Sequence, residues 1–182
     1  MLILIVGPSG AGKDTLLDVV RKILQDDTRF RFARRAITRP ATVGGEDHEP
    51  VDAGSFELRR AAGAYALSWD AHGLRYAIPS EIGLHLAEGR VVVASVSRSV
   101  VAEAAHRYPV RVIEITAPPE VLTERLAIRG REGPGDIAER LARQVEIGQD
   151  LDRVTIVNDG TIEEAAQKLL EELLRAADAL DR

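Results

Sequence analysis

The chain has 182 residues, and its 24 Lys and Arg residues against 29 Asp and Glu residues give a formal net charge of -5 at pH 7. This acidic balance excludes a nucleic-acid backbone as the main partner. With 45% hydrophobic and 29% charged residues, the length suits one globular domain with a sizeable core. No apolar run approaches the roughly 20 residues of a membrane span, so no membrane partner is expected. The absence of cysteine excludes disulfides and thiolate sites and fits a cytoplasmic location.

Strand and helix patterns alternate along the chain. The first apolar run, Leu2 to Val6, is continuous, which is typical of a strand buried on both faces of a parallel sheet. A glycine-rich turn follows, and from Lys13 to about Leu24 apolar residues recur at helical spacing. The same order then repeats, with strands predicted at 90–94, 110–115 and 154–157 and helices at 100–106, 120–129 and from Thr161. We therefore predict an α/β fold with a parallel sheet flanked by helices.

Two segments interrupt this alternation. Residues 33–88 contain scattered glycines, prolines and short apolar pieces, which predict an inserted region of small strands and loops able to hold a substrate. Residues 125–143 place a glycine- and proline-containing loop between two helical patterns, which is how a mobile helical lid would be built. The predicted organisation is a single domain with its core at 1–32, 89–124 and 144–182.

The turn after the first strand is a P-loop. Its glycines allow backbone N–H groups to face phosphate oxygens, the following helix N-terminus adds partial positive charge, and the lysine ammonium reaches the terminal phosphates. The motif stands between a buried strand and a helix, which is the context that it requires. The predicted ATP-binding residues here are Gly7, Pro8, Ser9, Gly10, Ala11, Gly12, Lys13, Asp14 and Thr15, with Lys13 and Asp14 as catalytic candidates.

Asp14 stands where P-loops usually carry a Ser or Thr that binds magnesium. A carboxylate at this position would be repelled by the triphosphate unless a cation lay between them. Asp14 therefore predicts a Mg²⁺ site, with the ion held directly or through water. The alternative is that Asp14 only stabilises the first helical turn, where acidic residues are favoured.

Four features together resemble the guanylate kinase family. They are the P-loop, the segment Thr38-Arg39-Pro40 with Gly45-Glu46 beyond it, the arginine-rich lid, and the late pair Asn158-Asp159. The resemblance covers nearly the whole chain and implies a P-loop kinase fold. It also implies that Asn158 and Asp159 contact the adenine or ribose of ATP, although an Asx turn before the last helix would explain the same pair.

The acceptor pocket departs from that of guanylate kinases. Those enzymes carry a tyrosine after the Gly-Glu pair, a glutamate before the next strand's aromatic, and an aspartate at the end of the strand predicted here at 90–94. This chain has Asp47-His48-Glu49-Pro50 after Glu46, Ser68 before Trp69, and Ser95 at the strand end. The groups that read guanine are missing, which favours a different acceptor.

The replacements resemble a narrower family, the ribose 1,5-bisphosphate phosphokinases. The segments that carry this resemblance are 12–15, 37–39, 67–76, Ser97-Arg98, 129–132, 138–143 and 158–160. The resemblance implies transfer of the γ-phosphoryl group of ATP to the 1-phosphate of the sugar, forming 5-phospho-α-D-ribose 1-diphosphate during phosphonate breakdown. ATP and Mg²⁺ would then be the co-substrate and the metal.

Arginines are the expected catalytic groups, because a phosphate acceptor is already an anionic nucleophile and needs no general base. We expect Arg35 and Arg39 to hold one acceptor phosphate and Ser97 with Arg98 to hold the other. Ser68, His72 and Tyr76 complete the predicted acceptor site, although a loop histidine is as readily only solvated. In the lid, Arg129 and Arg131 are predicted to close over the ATP phosphates, with Arg140 and Arg143 reaching in from the next helix.

The distribution of charge agrees with these roles. Residues 144–182 carry 10 acidic and 4 basic side chains, so the acidity belongs to the C-terminal part. Residues 29–39 carry five arginines and no acid, and residues 125–143 carry five arginines and three acids. These two basic patches lie where a kinase must hold two polyanions.

Two alternatives remain at this point. One is guanylate kinase or another nucleoside monophosphate kinase. The other is a non-catalytic guanylate-kinase-like binding module, which the intact Gly12-Lys13 pair and the arginine-rich lid disfavour. The sequence is compatible with a monomer or a homodimer.

Overall fold

A computed structural model describes residues 1–41, 46–129 and 151–180. The strands of this part are β1 (Leu2–Val6), β2 (Phe30–Phe32), β3 (Ala36–Ile37), β4 (Glu49–Pro50), β5 (Tyr65–Ala71), β6 (Leu74–Pro79), β7 (Val91–Ser95), β8 (Val110–Thr116) and β9 (Arg153–Val157). Its α-helices are α1 (Lys13–Ile23), α2 (Ala53–Ala61), α3 (Ile82–Ala87), α4 (Val101–Arg107), α5 (Pro119–Arg129) and α6 (Ile162–Leu180), and a 3-10 helix at Arg98–Val100 precedes α4.

The larger sheet has the strand order β2-β7-β1-β8-β9, and every neighbouring pair is parallel. β1 lies at its centre, and all five of its residues are fully buried. This burial on both faces explains why its sequence is a continuous apolar run. Because the strands are parallel, their carboxyl ends meet at one edge, where ligands bind in open α/β sheets.

Helices and the insertion cover opposite faces of this sheet. On one face, Ile3 and Ile5 of β1 pack with buried residues of α1 and α6. On the other face, the alternate residues Leu2 and Leu4 pack with residues of β5, β6, α3 and α4. The insertion therefore shares a core with the sheet, which fixes it beside the carboxyl ends of the strands.

A second, smaller sheet lies within residues 33–88, in the order β4-β3-β6-β5. β5 and β6 form an antiparallel hairpin, β3 pairs antiparallel with β6, and β3 pairs parallel with β4. The hairpin turns at His72-Gly73, where both residues have positive φ, 53° and 71°. Such angles match the two-residue turns that fit the twist of antiparallel strands.

The predicted strands and helices of the larger sheet are present, each with bounds within a residue or so of those expected. Three elements were not predicted, namely β2 and the helices α2 and α3. β2 has only three residues, too few for a periodic pattern, and it joins the sheet by pairing with β7. Among the helices described, none combines the length and the hydropathy that a membrane-spanning segment requires.

Candidate active site

The P-loop connects the carboxyl end of β1 to the start of α1. Gly7 has φ 143°, and a side chain there would collide with the backbone of Ile115 in the neighbouring strand, so only glycine fits. Lys13 Nζ donates to the carbonyl oxygens of Gly7 and Pro8 at 2.7 and 2.9 Å. The ammonium group is thus held at the mouth of the loop, the position from which it can exchange these carbonyls for phosphate oxygens.

Asn158 supports this loop from beneath. Its amide Nδ2 donates to the carbonyl oxygen of Ala11 at 2.8 Å, and the residue is only 3% exposed. A Cβ at Gly12 would lie 2.5 Å from the same Nδ2, so loop and amide are in close contact. The Asn158 amide Nδ2 thus faces the loop backbone, and the expected contact of Asn158 with adenine or ribose stays a prediction. Asp159, the other residue of that pair, is exposed.

An open cleft adjoins the P-loop at the carboxyl edge of the sheet. It lies between α1, the end of β2, the insertion and the end of β7. Ser95, at the end of β7, has a buried Oγ without a hydrogen-bond partner among the described residues. The residues that line the cleft are Asp14, Leu17, Asp18, Arg21, Phe32, Ala33, Arg35, Glu46, Asp47, Val93 and Ser95.

A chain of ion pairs runs from the P-loop helix into the insertion. Arg35 Nη2 lies 3.0 Å from an oxygen of Asp14 and 2.5 Å from an oxygen of Glu46. Arg39 Nη2 lies 3.1 Å from the other oxygen of Glu46. The side chains of Arg35, Arg39 and Glu46 are each only 13–14% exposed. The structure thus places Arg35 and Arg39 at the two oxygens of one carboxylate.

Asp14 is part of this chain of ion pairs. The N-cap of α1 is Gly12, which provides no side-chain cap, and the Asp14 carboxylate pairs with Arg35 while remaining 43% exposed. One accessible carboxylate beside a phosphate-binding loop fits Mg²⁺, which is usually held by one or two carboxylates together with substrate phosphates and water. Within the described ranges, no group of three or more His, Cys, Asp or Glu side chains could hold a metal alone.

Aromatic side chains stand behind Arg35. Its guanidinium carbon lies 6.0 Å from the centre of the Tyr76 ring, and Tyr76 stacks on Trp69 with 5.5 Å between centroids. Trp69 is part of the buried core between insertion and sheet. Ser68 is half-buried on β5, and His72 is exposed at the hairpin turn. Tyr76, one of the predicted acceptor residues on this hairpin, thus contacts the chain of ion pairs through Arg35.

The predicted second phosphate site, Ser97 and Arg98, follows β7. The Ser97 hydroxyl accepts hydrogen bonds from the backbone N–H and the hydroxyl of Ser99, and so caps the 3-10 helix. Arg98 Nη2 donates to Glu114 on β8 at 2.6 Å, and both side chains are mostly buried. Both residues therefore have structural partners, and for Arg98 this partner is bound through Nη2.

The predicted lid begins at the end of α5. Arg129 is the last residue of this helix, and the other lid arginines, Arg131, Arg140 and Arg143, lie outside the described residues. Arg125, one turn earlier, donates to the carbonyl oxygen of Asn158 at 3.2 Å. This bond ties the base of the predicted lid to the segment that supports the P-loop.

Two residues of this region, Glu46 and His48, had no predicted role. Glu46 belongs to a quoted motif, but its position between two arginines depends on the folding of β3 and its loop. His48 is 2% exposed and bonds through both ring nitrogens to backbone carbonyl oxygens. One signal for Glu46 was available, since it is the first acidic residue after five arginines. His48 had no such signal.

Comparisons with known proteins agree on both sequence and fold. No family model matches the chain. It is 51% identical over 175 residues to the ribose 1,5-bisphosphate phosphokinase PhnN of Methylobacterium radiotolerans, covering 94% of this chain and 96% of that protein. It is 43% identical over 178 residues to the protein of the same name from Agrobacterium fabrum, covering 97% of each.

A solved structure of guanylate kinase from Anaplasma phagocytophilum aligns with a TM-score of 0.71 and 20% identity, covering 97% of this chain and 86% of that one. A gluconokinase from Sinorhizobium meliloti aligns with a TM-score of 0.55 and 19% identity, covering 98% and 94%. At these identities the likeness concerns the fold alone. The predicted kinase fold, a parallel sheet flanked by helices, is confirmed.

Proposed function

The chain belongs to the ribose 1,5-bisphosphate phosphokinase family, and from this premise we propose that it phosphorylates ribose 1,5-bisphosphate with ATP. An oxygen of the sugar's 1-phosphate attacks the γ-phosphorus of ATP, the bond to the β,γ-bridging oxygen breaks, and ADP leaves. The products are 5-phospho-α-D-ribose 1-diphosphate and ADP. The observation that carries the proposal is 51% identity over 94% of the chain to a relative of that name.

The donor side of the reaction is assigned to the P-loop. Backbone N–H groups of residues 7–13 and the N-terminus of α1 would hold the ATP phosphates, with Lys13 reaching the terminal ones. Asp14 would hold Mg²⁺, with Thr15 beside it on α1. When bound, the ion neutralises charge on the β- and γ-phosphates. Asn158 and the exposed Asp159 are the proposed contacts to the ATP ribose or adenine.

The acceptor side is assigned to the cleft. Arg35 lines this cleft and pairs with Asp14 of α1. Arg39 pairs with the carboxylate of Glu46, which also lines the cleft, and both arginine side chains are mostly buried, which supports their role in holding an acceptor phosphate. A phosphate oxygen that enters can replace the carboxylate oxygens that these guanidinium groups now bind. Ser97 and Arg98 are the proposed contacts to the other phosphate, and Ser68, His72 and Tyr76 those to the rest of the sugar.

Catalysis in this assignment consists of alignment and charge neutralisation. The acceptor oxygen is already anionic, so no side chain has to remove a proton. The lid arginines Arg129, Arg131, Arg140 and Arg143 would close over the phosphates and balance the charge that spreads over the transferring group. Lys13 and Asp14 would act on the same group from the P-loop.

The experiment compares acceptors at saturating MgATP. ADP formation is measured by a coupled assay with ribose 1,5-bisphosphate and with GMP, and the sugar product is identified by ³¹P NMR through its diphosphate signals. We expect ADP and a 1-diphosphate product with the sugar and at least 100-fold lower kcat/KM with GMP, on the order of the discrimination seen when buried polar groups lose their partners. Faster turnover of GMP would support a nucleoside monophosphate kinase, and failure to bind ATP would support a non-catalytic module.

A further inference from the structure

His48 is buried one residue before β4 and is 2% exposed. Its Nδ1 lies 2.9 Å from the carbonyl oxygen of Glu46, and its Nε2 lies 3.0 Å from the carbonyl oxygen of Arg39. Carbonyl oxygens accept hydrogen bonds and cannot donate them. Both ring nitrogens must therefore carry a hydrogen if both contacts are hydrogen bonds, and only the imidazolium form of histidine carries two.

A neutral ring would not satisfy this geometry. One nitrogen would then face a carbonyl oxygen with lone pair against lone pair, in a buried place where water cannot intervene. Turning the ring over exchanges the two nitrogens and leaves the same conflict, because both partners are oxygens of the same kind. Either orientation of the ring therefore gives the same two contacts, and these favour the imidazolium against the cost of burying its charge.

The charged groups around His48 come from three segments. Its own segment contributes Glu46, Asp47 and Glu49. The β3 segment contributes Arg34, Arg35 and Arg39, and α2 contributes Arg59. Each of these arginines has an acidic partner, because Arg34 pairs with Asp47, Arg35 and Arg39 pair with Glu46, and Arg59 pairs with Glu49. Arg35 and Arg39 share the one carboxylate of Glu46, and Arg35 also pairs with Asp14, so the four arginines have four acidic partners. The two carbonyl oxygens are the acceptors that the ring N–H groups of His48 meet.

Of the two residues that His48 joins, Glu46 lines the cleft, and Arg39 pairs with the Glu46 carboxylate. Arg39 and Glu46 are held together through their backbones by His48 and through their side chains by the 3.1 Å ion pair. Glu46 in turn holds Arg35 at 2.5 Å. A shift in the backbone at either end of the His48 bridge would move both guanidinium groups.

We propose that His48 is a doubly protonated positioning residue that fixes the acceptor-phosphate arginines Arg35 and Arg39 by bridging the carbonyl oxygens of Arg39 and Glu46. The kinetic part of this inference rests on the proposed function, because it assigns those arginines to the acceptor. The protonation part does not depend on the substrate. His48 touches no substrate itself, so its effect should appear in acceptor binding.

The first experiment measures the proton count directly. Two-bond ¹H–¹⁵N correlation spectra of the full chain, labelled at histidine nitrogens, distinguish an imidazolium from either neutral tautomer. Single His72→Gln, His85→Gln and His106→Gln variants assign the other three histidines, so that His48 is identified by exclusion even if its own variants fail to fold. We expect both His48 nitrogens to be protonated at pH 7. A neutral tautomer there would overturn the proposal.

The second experiment separates positioning from general damage. The amide of His48→Gln can donate to one carbonyl, but its own oxygen repels the other. We expect the KM for ribose 1,5-bisphosphate to rise about tenfold, the effect of losing one charge-assisted hydrogen bond. The KM for ATP and kcat should stay within about twofold of wild type. His106→Gln, at an exposed position on α4, is the matched control and should change none of the three constants.

The outcomes separate this inference from the proposed function. An unchanged acceptor KM in His48→Gln, or an equal rise in both KM values, would contradict a role in acceptor positioning. If wild type turned over a different phosphate acceptor, the same comparison would be made with that acceptor. A doubly protonated His48 in a protein that does not use ribose 1,5-bisphosphate would contradict the substrate assignment and leave the bridge intact.

Discussion

The P-loop depends on a side-chain amide that lies outside it. The amide Nδ2 of Asn158 satisfies the Ala11 carbonyl oxygen beneath the loop, and the side chain fills the space that a Cβ at Gly12 would need. Gly12 also has φ 89°, which L side chains rarely adopt. The loop is therefore held by contact with the segment after β9 as well as by its own glycines.

This arrangement predicts coupling between two substitutions. Asn158→Ala removes the donor to a buried carbonyl and should lower the free energy of unfolding by about 1–3 kcal/mol and raise the KM for ATP. Gly12→Ala should be destabilising as well. Asn158→Ala also removes the atom with which the new Cβ collides. The loss of unfolding free energy in the double variant should therefore be smaller than the sum of the two single losses, by about 0.5 kcal/mol or more. Urea unfolding of all four proteins measures this, and strict additivity would contradict the contact.

Asp14 provides a test of the metal assignment. Asp14→Asn keeps the shape of the side chain and removes its charge, so the Mg²⁺ concentration for half-maximal activity should rise about tenfold or more. Stability should change little, because the Asp14 carboxylate is 43% exposed and exposed ion pairs contribute about 0–1 kcal/mol. Steady-state kinetics with a Mg²⁺ titration, and Mn²⁺ binding by EPR, measure the effect. Asp18→Asn on the same helix is the control, and an equal response in both variants would contradict the assignment.

For single residues, the sequence was enough to predict a role where the residues that act together are neighbours in the chain. The P-loop is such a case, because its strand, glycines, lysine and helix are consecutive. Arg35 and Arg39 were predicted by their positions in a basic patch, but their partner Glu46 depends on a loop closing back onto β3. His48 and the inward direction of Asn158 depend on contacts between distant segments, which no local pattern records.

The last helix, α6, begins at a capping box. Thr161 N–H donates to Glu164 Oε2 at 3.1 Å, and Glu164 N–H donates to Thr161 Oγ1 at 3.2 Å. The backbone hydrogen bond from Thr161 is the main cause that lowers the pKa of Glu164 below its usual 4.5. At the start of α2, hydrogen bonds from Ser55 likewise lower the pKa of Asp52.

A carboxyl group whose pKa is lower in the folded than in the unfolded state stabilises the fold when it is ionised. This contribution to the free energy of unfolding is present above the unfolded pKa and is lost as pH falls through the folded pKa. Glu164→Gln should therefore reduce the free energy of unfolding at neutral pH, and the difference from wild type should shrink as pH falls below about 4.5. Urea unfolding followed by circular dichroism at several pH values measures this. Glu163→Gln, in the same first turn, controls for the helix dipole, and an identical profile in that variant would contradict the capping explanation.

Substitution of the lid arginines tests the predicted lid. Arg129→Ala and Arg140→Ala should each lower turnover about 1000-fold, the scale of an arginine that stabilises a transferring phosphoryl group. Folding should be little changed, as measured by thermal unfolding. Arg60→Ala, which removes an exposed arginine of α2, serves as the control for loss of a surface charge. Activity close to wild type in both lid variants would refute the lid proposal.

At the element scale, long periodic elements were predictable and short ones were not. The helix α1 has a clear apolar face, and β1 and β7 are buried along their whole length. The sequence of each of these elements is therefore enough to predict it. α2 buries only Phe56, and β3 and β4 have two residues each, so their structure comes from pairing and packing within the insertion. Tertiary contact supplies what local propensity lacks in such elements.

Across the whole molecule, an ion-pair network joins the sheet to the last helix. Arg111 of β8 lies 2.9 Å from Glu172 of α6, and Arg175 lies 2.5 Å from the other oxygen of the same carboxylate. Glu172 is 8% exposed, although it stands on a helix whose composition is strongly acidic. At least one acidic side chain of the C-terminal part, that of Glu172, is thus buried. Counting charges along the sequence could not show this.

This network predicts a non-additive pair of substitutions. Arg111→Met leaves the buried Glu172 carboxylate with the exposed Arg175 alone and should cost about 1–3 kcal/mol of unfolding free energy. The double variant Arg111→Met with Glu172→Leu should recover most of this loss, because it removes the uncompensated charge. Chemical unfolding of the single and double variants measures the difference. A double variant less stable than Arg111→Met would contradict this account.

The chain of ion pairs from Asp14 through Arg35 and Glu46 to Arg39 makes the cleft carry its own counterions. An anion entering the cleft has to exchange with a carboxylate that is already in place. A singly charged anion gains little from such an exchange, whereas a phosphate dianion with three oxygens can displace the carboxylates and still bridge both arginines. The cleft therefore selects its ligand against the common small anions of its surroundings, and binding should depend less on ionic strength than it would for two uncompensated arginines.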